Sequence, residues 1–125
     1  MKYTIKELLD KVWDKDNFLR KYCDCFTNDD IDYAISKDTS DDLYYTIYFF
    51  HSKFNRTNII NVINTGKIEW IINKRNLWDR ELVKLLIPKI KNLNELTGTK
   101  HYLNEFFDEE TEKLYKEQYD KLSIE

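Results

Sequence analysis

The chain has 125 residues, a length typical of one domain that can bury a core without disulfide or metal support. Its 42% hydrophobic residues exclude wholesale disorder. Its formal net charge of -3 excludes the strong overall positive field of many nucleic-acid-binding proteins, and it is too small for a mimic that acts through net negative charge alone. We therefore expect a single domain over residues 1–125.

Helix-start signals predict a helical N-terminal region. Thr4 followed three residues later by Glu7 is a capping box. The apolar residues behind it keep the spacing of one helical face: Ile5, Leu8, Leu9, Val12 and Trp13. Asp16 is a candidate cap for a second segment, which either continues the first helix or forms its own. Thr27 and the acids after it predict a further short helix, followed by a loop over residues 38–42.

The centre of the chain, residues 43–73, is the richest in aromatic and isoleucine side chains. Residues 43–50, 59–63 and 68–72 are predicted to be strands, with a hairpin turn at Gly66 between the second and the third. The predicted fold class is therefore α+β, with helices at both ends packed on a central three-stranded antiparallel meander. Helical spacing in the first two segments keeps an alternative open, an all-α bundle.

The C-terminal half returns to helical spacing. Asn76 is a candidate cap, and the leucine-rich stripe behind it is expected to stop at residues 97–98. Pro88 lies inside this stripe and predicts a kink or a restarted helix near Ile87, because an interior proline removes a helical hydrogen bond. The apolar positions of the tail fit one or two helices that separate near Asp108.

Charge is distributed unevenly along the sequence. Residues 1–52 carry a net charge of -4, residues 53–100 a net charge of +6, and residues 101–125 a net charge of -5. The basic middle is a candidate patch for a negative partner, either a nucleic acid or an acidic protein surface. In the alternative interpretation, these cations are solvated or pair with the acids at the two ends. The acidic runs 29–32 and 108–112 have two interpretations. They either bind a basic groove on a partner or serve helix capping and solubility.

No residue pattern predicts catalysis. Cys23 and Cys25 lack the two-residue gap common in structural zinc sites, and neither they nor the single histidines His51 and His101 carry a nucleophile signature. We expect no enzymatic activity, no metal and no cofactor. The two cysteines, the charged N-terminal segment and the absence of an apolar run of about 20 residues predict a cytoplasmic protein that does not enter a membrane.

The function expected from these patterns is protein binding by occlusion, because tyrosine, tryptophan and arginine anchor protein interfaces. A composition typical of an AT-rich genome favours a phage or mobile-element inhibitor of a host nucleic-acid-handling defence protein, or an immunity-type factor. The alternative is a small nucleic-acid-binding protein that uses the basic middle and the sheet aromatics. The predicted partner-binding residues are Tyr44, Tyr48, Arg56, Lys67, Trp70, Lys74, Arg75 and Trp78.

Overall fold

The computed structural model describes residues 4–11, 14–37 and 40–124. Within these ranges the chain forms eight α-helices and no strand. In chain order they are α1 (Ile5–Lys11), α2 (Lys15–Tyr22), α3 (Asn28–Lys37), α4 (Ser40–Phe50), α5 (Arg56–Thr65), α6 (Arg80–Leu86), α7 (Leu93–Leu103) and α8 (Glu109–Ser123). The all-α alternative is confirmed, and the predicted α+β fold with its meander is wrong.

The chain divides into two compact units, Met1–Val62 and Ile63–Glu125. In the first unit, α4 packs against α2 and α3, and α1 packs against α3. In the second unit, α8 packs against α6, α7 and the short 3-10 turn Ile87–Lys89. The expectation of a single domain stays a prediction.

The first predicted strand, residues 43–50, is part of helix α4 because its apolar residues repeat with a helical period. Leu43, Ile47 and Phe50 are 1%, 2% and 0% exposed. A strand would have buried alternate residues instead. Intrinsic β-propensity spans only about 1 kcal/mol. Burying one large apolar side chain contributes about 1.5–3 kcal/mol. The spacing of the buried residues therefore outweighs their β-favouring side chains.

The second predicted strand, residues 59–63, lies in helix α5, and Gly66 ends that helix instead of forming a hairpin turn. Gly66 has φ +76°, a left-handed conformation that glycine adopts without a steric penalty. Its N–H donates to the Ile63 carbonyl at 3.0 Å, closing the end of the helix.

The third predicted strand, residues 68–72, is a series of turns. The N–H groups of Ile71 and Ile72 both donate to the Ile68 carbonyl, at 3.0 and 3.2 Å. All three isoleucines are buried, at 0%, 8% and 2% exposure respectively. Spacings of three and four residues place the three isoleucines on one side of this series of turns, so they are buried without forming a strand.

The predicted starts of α1 and α3 are confirmed. The Glu7 N–H donates to Thr4 Oγ1 at 3.1 Å. At the second start, the Asp30 N–H donates to Thr27 Oγ1 at 3.2 Å, and the Thr27 N–H donates back to Asp30 Oδ2 at 3.0 Å. These reciprocal bonds satisfy N–H groups that have no partner inside a helix. Residues 12–13, predicted to continue the apolar face of α1, lie outside the described residues.

Helix α2 is a helix of its own, and its cap differs from the predicted one. Asp14 Oδ1 accepts a hydrogen bond from the Asn17 N–H at 3.2 Å, so Asp14 rather than Asp16 is the N-cap. The predicted loop over residues 38–42 is wrong at residues 40–42, which begin α4. Its first two positions lie outside the described residues.

Pro88 divides the leucine-rich stripe as predicted, since α6 ends at Leu86 and a new helix, α7, begins after Asn92. Asn92 caps that helix by accepting from the Glu95 N–H at 2.8 Å. The predicted cap at Asn76 is wrong. Asp79 caps α6 instead, and its Oδ1 accepts from the Leu82 N–H at 2.8 Å.

Helix α7 runs through Gly98, so the predicted stop at residues 97–98 is wrong. A Cβ atom at Gly98 would meet only Ile72 Cδ1, at 3.8 Å, an ordinary van der Waals contact. Because glycine costs about 0.5–1 kcal/mol relative to alanine inside a helix, Gly98→Ala is expected to raise the free energy of unfolding by that amount. Urea denaturation measures it. Gly66→Ala is the control and is expected to destabilise, because Gly66 has positive φ. A loss of stability in Gly98→Ala would contradict the conclusion that α7 has room for a Cβ atom at this position.

Candidate functional site

The predicted partner-binding residues divide between the two units. Those of the first unit are Tyr44, Tyr48 and Arg56, and those of the second are Lys67, Trp70, Lys74, Arg75 and Trp78. In the first unit, Tyr44 and Tyr48 lie on α4 and are 41% and 59% exposed. Arg56 is exposed at the start of α5. In the second unit, Trp70 is 37% exposed, and Lys67 and Lys74 are half-buried.

Trp78 is buried at 5% exposure, and its Nε1–H donates to the Ile71 carbonyl at 2.9 Å. Its indole therefore lies in the interior of the second unit and not on a surface that a partner contacts. The sequence holds a signal for this placement. Trp78 directly precedes the N-cap Asp79, a position where an apolar side chain often packs against the first turn of the helix.

Four aromatic side chains on the outer side of α4, two exposed (Tyr44, Tyr48) and two half-buried (Tyr45, Phe49), form what we call the aromatic surface. At 3.6 residues per turn, these positions fall opposite the buried face of Leu43, Ile47 and Phe50. Packing of the inner face thus fixes the aromatic rings on the outside of the helix.

Neighbouring rings of the aromatic surface contact one another in favourable geometries. Tyr48 and Phe49 meet edge to face, with centroids 5.2 Å apart and an interplanar angle of 89°. Tyr44 lies 5.5 Å from Tyr45 and 6.3 Å from Tyr48, centroid to centroid. Such contacts restrict the side chains before any partner arrives, which lowers the ordering entropy that binding must offset.

Arg20, on helix α2, extends the aromatic surface. Its guanidinium carbon lies 5.6 Å from the centroid of the Phe49 ring, a cation–π distance. Its Nε also lies 3.1 Å from Asp16 Oδ1, an exposed pair within α2. Tyr45, Phe49 and Arg20 were not among the predicted site residues. The helical spacing of the alternative fold is the signal that would have found the first two.

The basic middle of the sequence is partly paired with the acidic tail inside the second unit. The salt bridges are Lys84–Asp108 (3.2 Å), Lys84–Glu110 (3.3 Å), Lys100–Glu112 (3.0 Å) and Arg75–Glu105 (3.1 Å). Residues 63–125 contain eleven basic and twelve acidic residues, a net charge of -1. For these cations, pairing with the acids of the tail is the interpretation that the structure confirms.

Asp108 separates α7 from α8, as predicted, and caps the longest helix. Its Oδ1 accepts from both the N–H and the hydroxyl of Thr111, each at 2.8 Å, and Lys84 Nζ lies 3.2 Å from its Oδ2. The bonds from the Thr111 backbone and hydroxyl, and then Lys84, lower the pKa of Asp108 from 3.8 to about 2. The same contact raises the pKa of Lys84.

Because the pKa of Asp108 is depressed in the folded state, its carboxylate stabilises the fold above its unfolded pKa, and this contribution is lost as the pH falls toward about 2. We expect Asp108→Ala to melt at a lower temperature than the parent at neutral pH. The difference should shrink as the pH approaches about 2. Thermal melts followed by circular dichroism between these limits measure it. Asp120→Ala, an exposed change on the same helix, is the control. A melting-temperature difference that does not change with pH would contradict the lowered pKa of Asp108 in the folded state.

The chemistry available elsewhere is limited. Across residues 4–11, 14–37 and 40–124, no three His, Cys, Asp or Glu side chains converge on a position that could hold a metal ion. Cys23 is half-buried, Cys25 is exposed, and both are free thiols. The expectations of no metal, no cofactor and no enzymatic activity stay predictions.

Comparison of the chain with protein-family models, curated proteins and solved structures found no match. None of the helices in the described part of the chain combines the length and the apolar character needed to cross a membrane.

Proposed function

We propose that the protein is a non-enzymatic cytoplasmic binding module whose aromatic surface docks on another protein and occludes a site there. The observation that carries this proposal is the aromatic surface itself, four adjacent rings on the outer side of α4 with Arg20 at their edge. Tyrosine and arginine are, with tryptophan, the residue types enriched among those that supply the binding energy of protein interfaces. The inner face of α4 packs the core, while Tyr44 and Tyr48 on its outer side are 41% and 59% exposed.

The charge of the first unit favours a protein partner over a nucleic acid. Residues 1–62 contain nine basic and eleven acidic residues, a net charge of -2. Nucleic-acid affinity depends on cations that neutralise phosphates, and an acidic unit opposes it. In the second unit, Arg75, Lys84 and Lys100 are paired with acids of the same unit. The nucleic-acid alternative is therefore the weaker proposal.

The partner we expect offers an apolar groove edged by hydrogen-bond acceptors. Tyrosine rings bury their faces against apolar groups, while their hydroxyl groups donate to acceptors at the edge of the contact. Arg20 would meet a carboxylate or an aromatic face. The amino-acid composition, which is typical of an AT-rich genome, favours a more specific form of the proposal. In this form the protein is a phage or mobile-element inhibitor of a host nucleic-acid-handling protein, or an immunity-type factor.

Site-specific photo-crosslinking tests the proposal. p-Benzoylphenylalanine replaces Tyr48 in one sample and Tyr102, in the second unit, in the control, because Tyr102 is also exposed, at 42%. In an extract of the cells that make the protein, we expect position 48 to give a discrete protein adduct that position 102 does not give. Excess unlabelled wild-type protein should compete for this adduct, and a Tyr44→Ala/Tyr48→Ala variant should not.

Three outcomes would overturn the proposal. Equal adducts from both positions would show that the aromatic surface is not selective. An adduct only with a second copy of the chain would show that self-association covers the surface. An adduct only with nucleic acid would favour the alternative function.

A further inference from the structure

The second unit contains a cleft of about 560 Å³ whose charged lining is entirely basic among the residues that the structure describes. Lys89, Lys91 and Lys121 line it, and no acidic residue among those that the structure describes does so. Its apolar lining includes Ile90 and Leu122. A cleft of this volume falls within the range of about 300–1,000 Å³ of small-molecule sites.

One buried hydrogen bond joins two of the segments that line the cleft. Gln118, on α8, donates through Nε2 to the Ile90 carbonyl at 2.6 Å. This bond ties the segment that follows Pro88 to α8. Lys121 lies three residues after Gln118, on the same side of the helix. The lysines on either side of Ile90 are thereby held at the same cleft as Lys121.

The three lysines lack ion pairs of the kind that Arg75, Lys84 and Lys100 form within the second unit. All three side chains are exposed, and none forms a salt bridge with any residue in the described part of the chain. Lys84 and Lys100, in contrast, are each within 3.3 Å of a carboxylate. Three positive charges that line one cleft repel one another, and a bound anion would relieve that repulsion.

We propose that this cleft binds a phosphate-bearing small molecule of nucleotide size. Lysine binds phosphate as a point charge, and three lysines suit a polyphosphate better than a single carboxylate. The apolar lining can contact a base. The C-terminal end of α5 at Asn64–Gly66, which also lines the cleft, carries partial negative charge and suits the hydroxyl or amino groups of a nucleoside. This site is independent of the aromatic surface.

Isothermal titration calorimetry with ATP and with inorganic triphosphate, without added metal, tests the proposal. We expect both to bind the wild-type chain, ATP more tightly because the apolar lining contacts its nucleoside. The triple variant Lys89→Gln/Lys91→Gln/Lys121→Gln is expected to weaken ATP binding at least about tenfold. The control, Lys53→Gln/Lys113→Gln/Lys116→Gln, makes the same charge change at exposed lysines outside the cleft and should change affinity less than about threefold. Circular dichroism verifies that both variants are folded.

The same titrations can overturn the proposal. The absence of a heat signal with both ligands at millimolar concentration would remove the site. Equal weakening in the two triple variants would mean non-specific charge attraction. Binding of triphosphate without ATP would exclude a nucleotide-sized ligand. A third titration uses a single-stranded oligonucleotide; its binding in the absence of binding by ATP and triphosphate would assign the lysines to nucleic acid instead.

Discussion

Replacing Asn58 by aspartate is expected to lower the free energy of unfolding by about 3 kcal/mol or more. Asn58 is fully buried, and its side chain joins α5 to α3 within the first unit. Its Nδ2 donates to the Asn28 carbonyl at 3.1 Å and to Asp32 Oδ1. Its Oδ1 accepts from the Asn55 N–H at 3.0 Å and from Asn28 Nδ2 at 2.7 Å. The amide thus uses both donors and both acceptor positions.

Aspartate has nearly the same shape as asparagine, so the change isolates hydrogen bonding from packing. It turns the two donors into an acceptor that faces the Asn28 carbonyl and the Asp32 carboxylate, leaving three acceptors together in a buried position. Protonation of the new carboxyl group would restore one donor, and the deficit should therefore be smaller at pH 5 than at pH 7. Urea denaturation at the two pH values measures both effects.

Asn61→Asp is the matched control for Asn58→Asp. Asn61 lies on the same helix, and its side chain makes no hydrogen bond with any other residue that the structure describes. We expect this control to change stability by less than about 1 kcal/mol. Equal losses in the two variants would contradict the network around Asn58.

Phe50→Ala is expected to lower the free energy of unfolding by about 3–5 kcal/mol, because the change removes a large buried ring and leaves a cavity. Phe50 is 0% exposed, and its ring centroid lies 4.7 Å from that of Phe26. Tyr48→Ala, on the same helix, is the control. Tyr48 is 59% exposed, so its truncation should cost less than about 1 kcal/mol.

Comparing Phe50→Ala with Tyr48→Ala also tests whether residues 43–50 form a helix or a strand. In a strand over residues 43–50, side chains would alternate, and Phe50 would share a face with Tyr48. In helix α4 they lie on different faces. Similar losses in Phe50→Ala and Tyr48→Ala would contradict the helical assignment of this segment.

Local signals predicted much of the helical boundary pattern. A cap or a proline acts through atoms only a few residues away, so Thr4, Thr27, Pro88 and Asp108 behave as their sequence context indicates. The predicted cap of α2, Asp16, is wrong by two residues, because Asp14 carries the same capping side chain and is the residue that accepts from the Asn17 N–H.

The prediction of strands in the centre of the chain is wrong for a physical reason. Aromatic and β-branched side chains at residues 43–50 and 59–63 favour strands as single residues, but the free energy of burying a helical face decided the structure. Gly66 was equally suited to a hairpin turn and to a helix end, since both need positive φ.

The candidate site was only partly predictable. Residue type alone selected Tyr44 and Tyr48, while Tyr45 and Phe49 could be added only once α4 was known to be a helix. The neighbouring charge of Arg20 comes from another helix. Likewise, the pairing of Lys84 with Asp108 depends on tertiary packing between residues 24 positions apart. No local pattern contains that information.

The affinity of the Tyr44→Ala/Tyr48→Ala variant for the protein captured at position 48, once that protein is purified, tests the proposed function most directly. We predict a loss of about 30-fold or more by calorimetry, which corresponds to about 2 kcal/mol, the lower bound for an interface hot spot. Tyr102→Ala, the exposed control in the second unit, should bind within about twofold of wild type. An unchanged affinity in the double variant, or an equal loss in Tyr102→Ala, would contradict binding through the aromatic surface.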